Sequence, residues 1–368
     1  MTRGFHFAAG PAMLPESLLK EAQKDILNWQ QTGMSILEIG HRTAHFRDLL
    51  SQAETNLRSL INIPSNYHVL FLAGSARMLF SMIPMNFLAK GETADYLVTG
   101  IWSLMALEEA RKLKQGRCVV SGENSGFTTV PPQSSWKCNP EAAYFYYTPN
   151  ETVNGIYYPK PVISDQIPLV ADMTSCLLAE PICVEDYDLI FAGAQKNIAN
   201  AGLTLVIIRD EFVKTIQHTN LPTMFDFRTH IEHHSLYATP PTFNCYLAAK
   251  MFDWIRQQGG VDALYAINQQ KAAALYQCID ESSFYTCSIE KPYRSLFNVC
   301  FKVPDASLET LFVEEAKKRK LYALQGHRVV GGLRASLYNA MPMKGVLSLI
   351  DFMQDFEQRT RLQATRLR

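Results

Sequence analysis

Six short runs of nearly unbroken apolar residues constrain this chain more than any other feature: HVLFLAG (68–74), ADYLVTG (94–100), AAYFYYT (142–148), IPLVAD (167–172), YDLIFAG (187–193) and LTLVIIR (203–209). Each has the length of a strand. Several are apolar at successive positions instead of alternating, the pattern of a sheet covered on both faces by helices. The segments SARMLFSMIPMNFLAKG and WSLMALEEARKLKQG between them read as crossover helices, so the alternation implies a largely parallel α/β sheet. Two amphipathic stretches come first. One runs from Pro15 to about Thr32, with Leu18, Leu19, Ala22, Ile26 and Trp29 at helical spacing, and the other from about Ala44 to Ile61.

The texture changes near Gln257-Gln258-Gly259-Gly260. Beyond it, helical segments (VDALYAINQQKAAALYQCID, ASLETLFVEEAKKRK and a last helix from about Lys344) outweigh two strand-like stretches, SLFNVCFKV (295–303) and GGLRASLYN (331–339). A smaller α+β domain is expected there.

Charge and cysteine usage narrow the function. Lys plus Arg, 35, equals Asp plus Glu, 35, and a protein built to grip a nucleic-acid backbone carries a basic excess instead. The N-terminus lacks the basic-then-apolar run of a secretory signal, and no stretch approaches a membrane span of ~18 apolar residues. The eight cysteines are scattered without a C-x-x-C pair, as expected of reduced thiols in a cytoplasmic protein with neither a metal knuckle nor a disulfide framework.

Ligands of open parallel sheets bind beyond the carboxyl ends of the strands. Gly74-Ser75-Ala76-Arg77 follows the first run where a helix begins, a place suited to an anion but equally to plain turn chemistry. Asp172 closes IPLVAD, and Lys196 follows YDLIFAG at the matching end of a neighbouring strand. A buried carboxylate needs a cation or several hydrogen bonds, so a structural ion pair explains them as well as spacing alone can. The functional alternative is a shared cofactor, pyridoxal 5′-phosphate, with Lys196 on its aldehyde and Asp172 on its pyridine nitrogen. Trp102 falls at another strand end, where an aromatic can stack on a flat ring or simply pack the core. Thr152, in PNETVNG, is a candidate hydrogen-bond donor or a turn residue. His41, Arg42, Arg77, His327, Arg328 and Arg334 lie in loop-like or Gly-rich surroundings and could hold a small dianion, since the arginine fork suits carboxylate and phosphate, although scattered surface ion pairs are the plainer reading of any one of them.

Longer segments carry a resemblance: AAGPAMLPESLLKEAQ, the HR of IGHRTAHF, IPSNYHVLFLAGSAR, ADYLVTGIW, YYTPNETVNGI, GAQKNIANAGLTLVIIR, TPPTFNCYLAAKMFDWI and QGHRVVGGLRASLYNAMP. From its N-terminus to its last helix the chain resembles the phosphoserine aminotransferase family of class V, fold-type I pyridoxal-phosphate enzymes. The resemblance implies an α/β large cofactor-binding domain over 15–258 with a mostly parallel seven-stranded sheet. It implies a small C-terminal domain over 259–368, joined by residues 1–14. It also implies a homodimer with shared active sites. The reaction would be reversible amino transfer from L-glutamate to 3-phosphohydroxypyruvate in serine biosynthesis, and 4-phosphohydroxy-L-threonine in pyridoxine biosynthesis would be a second substrate.

Carried onto this sequence, the family pattern makes Lys196 the Schiff-base lysine, Asp172 the pyridinium partner, Trp102 the stacking ring and Thr152 the group near the phenolic oxygen. Ala76, Arg77, Gln195 and Thr239 from the other subunit would hold the cofactor phosphate. Arg334 would clamp the substrate α-carboxylate, and His41, Arg42, His327 and Arg328 would receive the distal carboxylate or phosphate. Three positions depart from the pattern: the Gly-Ser-Ala-Arg turn in place of a Gly-rich one, Ala238 in place of an Asn beside the cofactor phosphate, and Ala9 in place of a serine near the substrate. Other class V chemistries are the alternatives. A cysteine desulfurase needs a reactive cysteine on a mobile loop, whereas Cys300 sits in an apolar strand. An alanine–glyoxylate aminotransferase has little use for two HR pairs, and a non-catalytic homologue has no need of both Lys196 and Asp172.

Overall fold

The apolar runs form the centre of the molecule in the computed structural model, which describes residues 3–113, 115–161, 163 and 166–366. Strand β1 (Phe5–His6) and helices α1 (Glu16–Asp25) and α2 (Ala44–Ile61) lead into β2 (Tyr67–Ala73), α3 (Ala76–Phe87), β3 (Ala94–Val98), α4 (Ile101–Lys112) and β4 (Gly116–Ser121). Next come β5 (Phe145–Tyr147), the two-residue strands β6 (Asn150–Glu151) and β7 (Ile156–Tyr157), then β8 (Leu169–Asp172), β9 (Leu189–Gly193) and β10 (Leu203–Arg209). Helices α5 (Asp210–Val213), α6 (Phe227–Glu232), α7 (Thr242–Gln257) and α8 (Gly260–Glu281) follow. The chain closes with β11 (Asn298–Phe301), α9 (Ala306–Lys318), β12 (Leu321–Tyr322), β13 (Leu333–Ser336) and α10 (Met343–Arg366).

Seven strands make one sheet in the order β2-β10-β9-β8-β5-β3-β4. It is parallel throughout except for β10, which runs antiparallel to both β2 and β9. Every residue of β3, β5, β8 and β9 is buried, which explains their unbroken apolar character. The seventh strand, β4, lies outside the six runs read from sequence. It is an edge strand with a single buried residue, Val119, so nothing requires a continuous apolar run there. Lys114, in the segment read as the preceding helix, lies outside the described residues.

The first helix is shorter than its periodicity predicts. It ends at Asp25, and the chain turns through a 3-10 segment, Trp29–Gln31, with Gln30 and Gln31 at φ of 49° and 60°. The Asn28 side chain accepts from the Gly33 N–H and the Trp29 N–H donates to the Met34 carbonyl, closing the turn. Trp29 is still 2% exposed, so the apolar period continues although the helix does not.

Apolar side chains gather in three clusters. One packs α1, α2 and α7 on one face of the sheet through Phe46, Leu57, Tyr246 and Phe252. A second packs α3 and α4 on the other face through Leu79, Phe80 and Leu107. The third joins Phe7 to Phe301, Phe312 and Phe352, with the two-stranded pairs β1–β12 and β11–β13 alongside. Helix α8 spans two of them: Val261 and Leu264 belong to the first, Leu275 and Ile279 to the third. All eight cysteines are free. Among the described residues no helix is long and apolar enough to cross a membrane and no side-chain group could hold a metal ion.

Candidate active site

Because β2, β3, β5, β8 and β9 share one direction, their carboxyl ends fall on one edge of the sheet. The residues just past those ends line a cavity of about 290 Å³. Strand β2 delivers Ser75, Ala76 and Arg77, β3 delivers Trp102, β5 delivers Thr148, Asn150 and Thr152, β8 delivers Asp172, Thr174 and Ser175, and β9 delivers Gln195 and Lys196. Ala9, His327 and Arg334 complete the wall from the N-terminal segment and from β13 with the loop before it. Ten of the fifteen residues that the sequence singles out therefore meet in one place: Ala9, Ala76, Arg77, Trp102, Thr152, Asp172, Gln195, Lys196, His327 and Arg334.

Asp172 and Lys196 face the same buried space, at 5% and 7% exposed. Strands β8 and β9 are hydrogen-bonded neighbours, with Asp172 in register with Phe191. The Asp172 Oδ1 accepts from the Thr174 N–H at 3.0 Å. Burial raises the Asp172 carboxyl, opposed by Thr174 and by the Lys196 charge. Burial lowers the Lys196 amine to about 8; Asp172 opposes that shift and Arg334 adds to it. The amine makes no hydrogen bond or ion pair among the described residues, so a structural salt bridge between the two is not what is found.

Around this pair the wall is tightly tied. The Trp102 Nε1–H donates to Thr152 Oγ1 at 2.9 Å, the Arg77 guanidinium lies 5.1 Å from the Trp102 ring centre, and Arg334 Nη1 donates to the Thr152 carbonyl at 3.0 Å. Helix α3 opens on the cavity with no side-chain cap at Ser75, which leaves its first-turn N–H groups for an anion. Gly74 takes φ +126°, a conformation that suits glycine and turns the chain from β2 into α3. The Thr148 Oγ1 is buried with no partner at hydrogen-bond distance among the described residues. His327 is held below the ordinary histidine range by burial and by the positive charges of Arg334, Arg328 and Arg77.

Five residues singled out from the sequence do not reach this cavity within one chain. Arg328 is exposed, next to His327. Ala238 and Thr239 are exposed in the loop before α7. His41 and Arg42 precede α2; the His41 Nε2 is buried without a partner among the described residues, and Arg42 lines a separate cavity with Arg47, His233 and His234.

Sequence reasoning missed Glu151. It is 0% exposed, and its carboxylate accepts from the Trp102 N–H (2.9 Å), the Ser103 N–H (2.8 Å) and the Ser103 hydroxyl (2.6 Å). Burial pushes its carboxyl up to about 7, against those three donors. The available signal was PNETVNG, a polar run directly after a fully apolar strand. Asn150 was missed as well: its amide donates to Ser175 Oγ and Asn298 Oδ1, both at 2.8 Å, and ties the cavity to β11.

Comparison with known proteins supplies the family. The family described as aminotransferase class-V matches residues 5–349. The chain is 57% identical, over 96% of its length and 98% of the relative's, to a phosphoserine aminotransferase of Legionella pneumophila subsp. pneumophila. Among solved structures, a phosphoserine aminotransferase from Bacillus circulans subsp. alkalophilus superposes with a TM-score of 0.95 at 38% identity, covering 97% of this chain and 99% of that one. A PLP-bound phosphoserine aminotransferase from Trichomonas vaginalis gives 0.90 at 38% identity, covering 96% and 100%.

Proposed function

The chain belongs to the class-V aminotransferase family, and from that premise we propose that it is a phosphoserine aminotransferase: it moves the amino group of L-glutamate to 3-phosphohydroxypyruvate, giving O-phospho-L-serine and 2-oxoglutarate in serine biosynthesis. One observation carries the reading. A buried lysine and a buried hydroxyl, both without a hydrogen-bond partner among the described residues, share a cavity with a buried carboxylate and an uncapped helix start, with His327 and Arg334 in the wall.

That set fits pyridoxal 5′-phosphate. Ala76, Arg77 and Gln195 would hold its phosphate, Trp102 would cover its ring face, Thr152 would meet its phenolic oxygen, Asp172 its ring nitrogen and Lys196 its aldehyde; all of them line the one cavity. When bound, the cofactor supplies a conjugated ring that accepts the electron pair left at the substrate α-carbon. The Asp172 carboxylate holds the proton on the ring nitrogen. The Lys196 Nζ, basic above about 8, takes and returns the α-proton. Arg334, anchored on Thr152, orients the α-carboxylate. His327 and Arg328 meet the distal carboxylate or phosphate, and the alternation between a monoanion and a dianion favours separate cations over a rigid cage.

We further infer a cytoplasmic homodimer of two-domain subunits, residues 15–258 and 259–368 with 1–14; Met1, Thr2, Lys114, Val162, Ser164, Asp165, Leu367 and Arg368 of that division lie outside the described residues. The third apolar cluster, which gathers Phe7 with residues from Leu275 to Phe356, supports the division. A second copy would supply Thr239 with Ala238 beside it, and the exposed Arg42 with His41. Cys300 does not suit the desulfurase alternative, because burial pushes its thiol up to about 12 and its Sγ–H donates to the Val153 carbonyl.

The test compares phosphoserine, alanine and serine as amino donors to 2-oxoglutarate, with 4-phosphohydroxy-L-threonine as a fourth arm. The phosphorylated donors are expected to be strongly preferred. Equal rates with all of them would remove the role given to His327, Arg328, His41 and Arg42, and a preference for alanine would favour the glyoxylate-type alternative.

A further inference from the structure

Helix α4 has an unusual beginning. Its N-cap is Gly100, which has no side chain to satisfy the first-turn N–H groups. Those donors turn instead to Glu151, 49 residues further along the chain in Trp102's case: Trp102 N–H to Oε2, and Ser103 N–H to Oε1. The Ser103 hydroxyl donates to Oε1 and accepts from the Thr99 and Gly100 N–H groups at 3.0 and 3.1 Å. Gly100 is also what makes room. A Cβ there would stand 2.5 Å from the Glu151 Cδ. Three donors and a helix N-terminus around one buried carboxyl favour its anion.

A structural cap would need no particular neighbour, yet this cap falls on the residue whose ring forms the cavity wall. Trp102 is held twice by adjacent residues, its backbone N–H by Glu151 and its indole N–H by Thr152. The Thr152 carbonyl in turn takes Arg334. We propose that Glu151 is a positioning residue, which caps α4 from strand β6 and thereby fixes the height and tilt of the Trp102 indole over the cofactor. The proposal rests on the assignment of this cavity to pyridoxal phosphate.

Glu151→Gln keeps the shape and sets an amide N–H against a backbone N–H. Two readouts follow. The Trp102 contribution to the near-ultraviolet circular dichroism, obtained by subtracting Trp102→Phe in cofactor-free protein, is expected to fall by half or more. The dissociation constant for added pyridoxal phosphate is expected to rise about tenfold, the size of one lost charge-assisted hydrogen bond. In a Trp102→Phe background the same change at Glu151 should alter that constant less than about twofold, since coupled residues are non-additive. An unchanged Trp102 signal, or a full tenfold loss without the indole, would overturn the proposal. Should Glu151→Gln not fold, Ser103→Ala removes the hydroxyl that donates to Glu151 and accepts from the Thr99 and Gly100 N–H groups, leaves the two backbone donors to Glu151 in place, and is expected to give the same pattern at about threefold; no effect there would equally refute it. If the unaltered chain takes up no pyridoxal phosphate, the cofactor assignment fails, while the cofactor-free Trp102 signal still decides whether Glu151 holds the indole.

Discussion

Two lysines among the described residues are buried, Lys196 at 7% exposed and Lys271 at 0%, and burial lowers both amines, to about 8 and about 7. Their surroundings differ in one respect. Lys271, on α8, donates to the carbonyls of Leu337, Tyr338 and Met341 at 2.9, 2.9 and 3.0 Å, using every proton an ammonium has. Lys196 donates to no described residue, and besides burial only nearby charges act on it: Asp172, Cys176 and Glu151 favour its protonated form, Arg334 opposes it. Desolvation is common to both, so desolvation does not make an amine reactive. The acceptor set does. An amine with three acceptors is a tie between elements, whereas one with none can leave its place and attack.

The largest effect that could break this comparison belongs to Lys196. Lys196→Ala is expected to abolish the visible absorption of bound cofactor and to lower glutamate-dependent amino transfer by at least ~10²–10⁴-fold, the range of a lost acid–base group. Stability should change by no more than ~1 kcal/mol, because no hydrogen bond is lost. Retention of both band and turnover would show that the bare amine is not the working one.

Lys271 should behave in the opposite way. Lys271→Met removes the donor from three carbonyls and should cost ~2–4 kcal/mol in urea unfolding while leaving the cofactor band in place. A band lost at unchanged stability would mean that the tie is a tool after all.

The two lysines were not equally legible. Lys196 could be read from sequence because a strand-length apolar run leads into it, and parallel strands place their ends together. Asp172 was legible for the same reason. Lys271 sits within INQQKAAAL, where a cation on an amphipathic helix reads as a solvated face; its partners lie 66 to 70 residues away. Glu151 was hidden in the same manner, since its partners are the backbone groups of α4. The buried strands of the sheet were readable, the edge strand β2 among them, and the edge strand β4 was not, because only strands covered on both faces need apolar residues at successive positions. Local pattern thus revealed what burial demands and concealed what long-range hydrogen bonds assign.

A pH series sharpens the comparison further. Uptake of pyridoxal phosphate by cofactor-free protein requires the free base of Lys196, so its rate should climb with pH and level off above about 8; an ordinary lysine would keep climbing toward 10.5. Lys271 should appear in stability instead. Its folded value is depressed, so between about 7 and 10.5 the unfolded chain binds more protons and stability rises with pH. Its three carbonyl acceptors oppose that trend by favouring the ammonium. The slope, taken as the difference from Lys271→Met, should therefore be positive and below ~1.4 kcal/mol per pH unit.

The smallest expected effect asks whether the tie and the tool are mechanically joined. Asn339, just past the carbonyls that Lys271 holds, donates its amide to the Leu178 carbonyl at 2.8 Å and accepts from Asn268 at 2.9 Å, while its backbone N–H donates to the Asn197 side chain at 3.1 Å. Asn197 is the residue after Lys196 and is itself tied to the Ser175 carbonyl at 3.1 Å. Asn339→Ala deletes the two side-chain bonds and keeps the backbone one, so it should lower stability by ~1–2 kcal/mol. The midpoint of the pH-dependent cofactor uptake should stay at about 8, because the groups that shift Lys196 are Asp172, Arg334, Cys176 and Glu151, none of which Asn339 touches. A shifted midpoint in Asn339→Ala would show that the amide network sets the position of the Lys196 amine, and the two buried lysines would then be parts of one device.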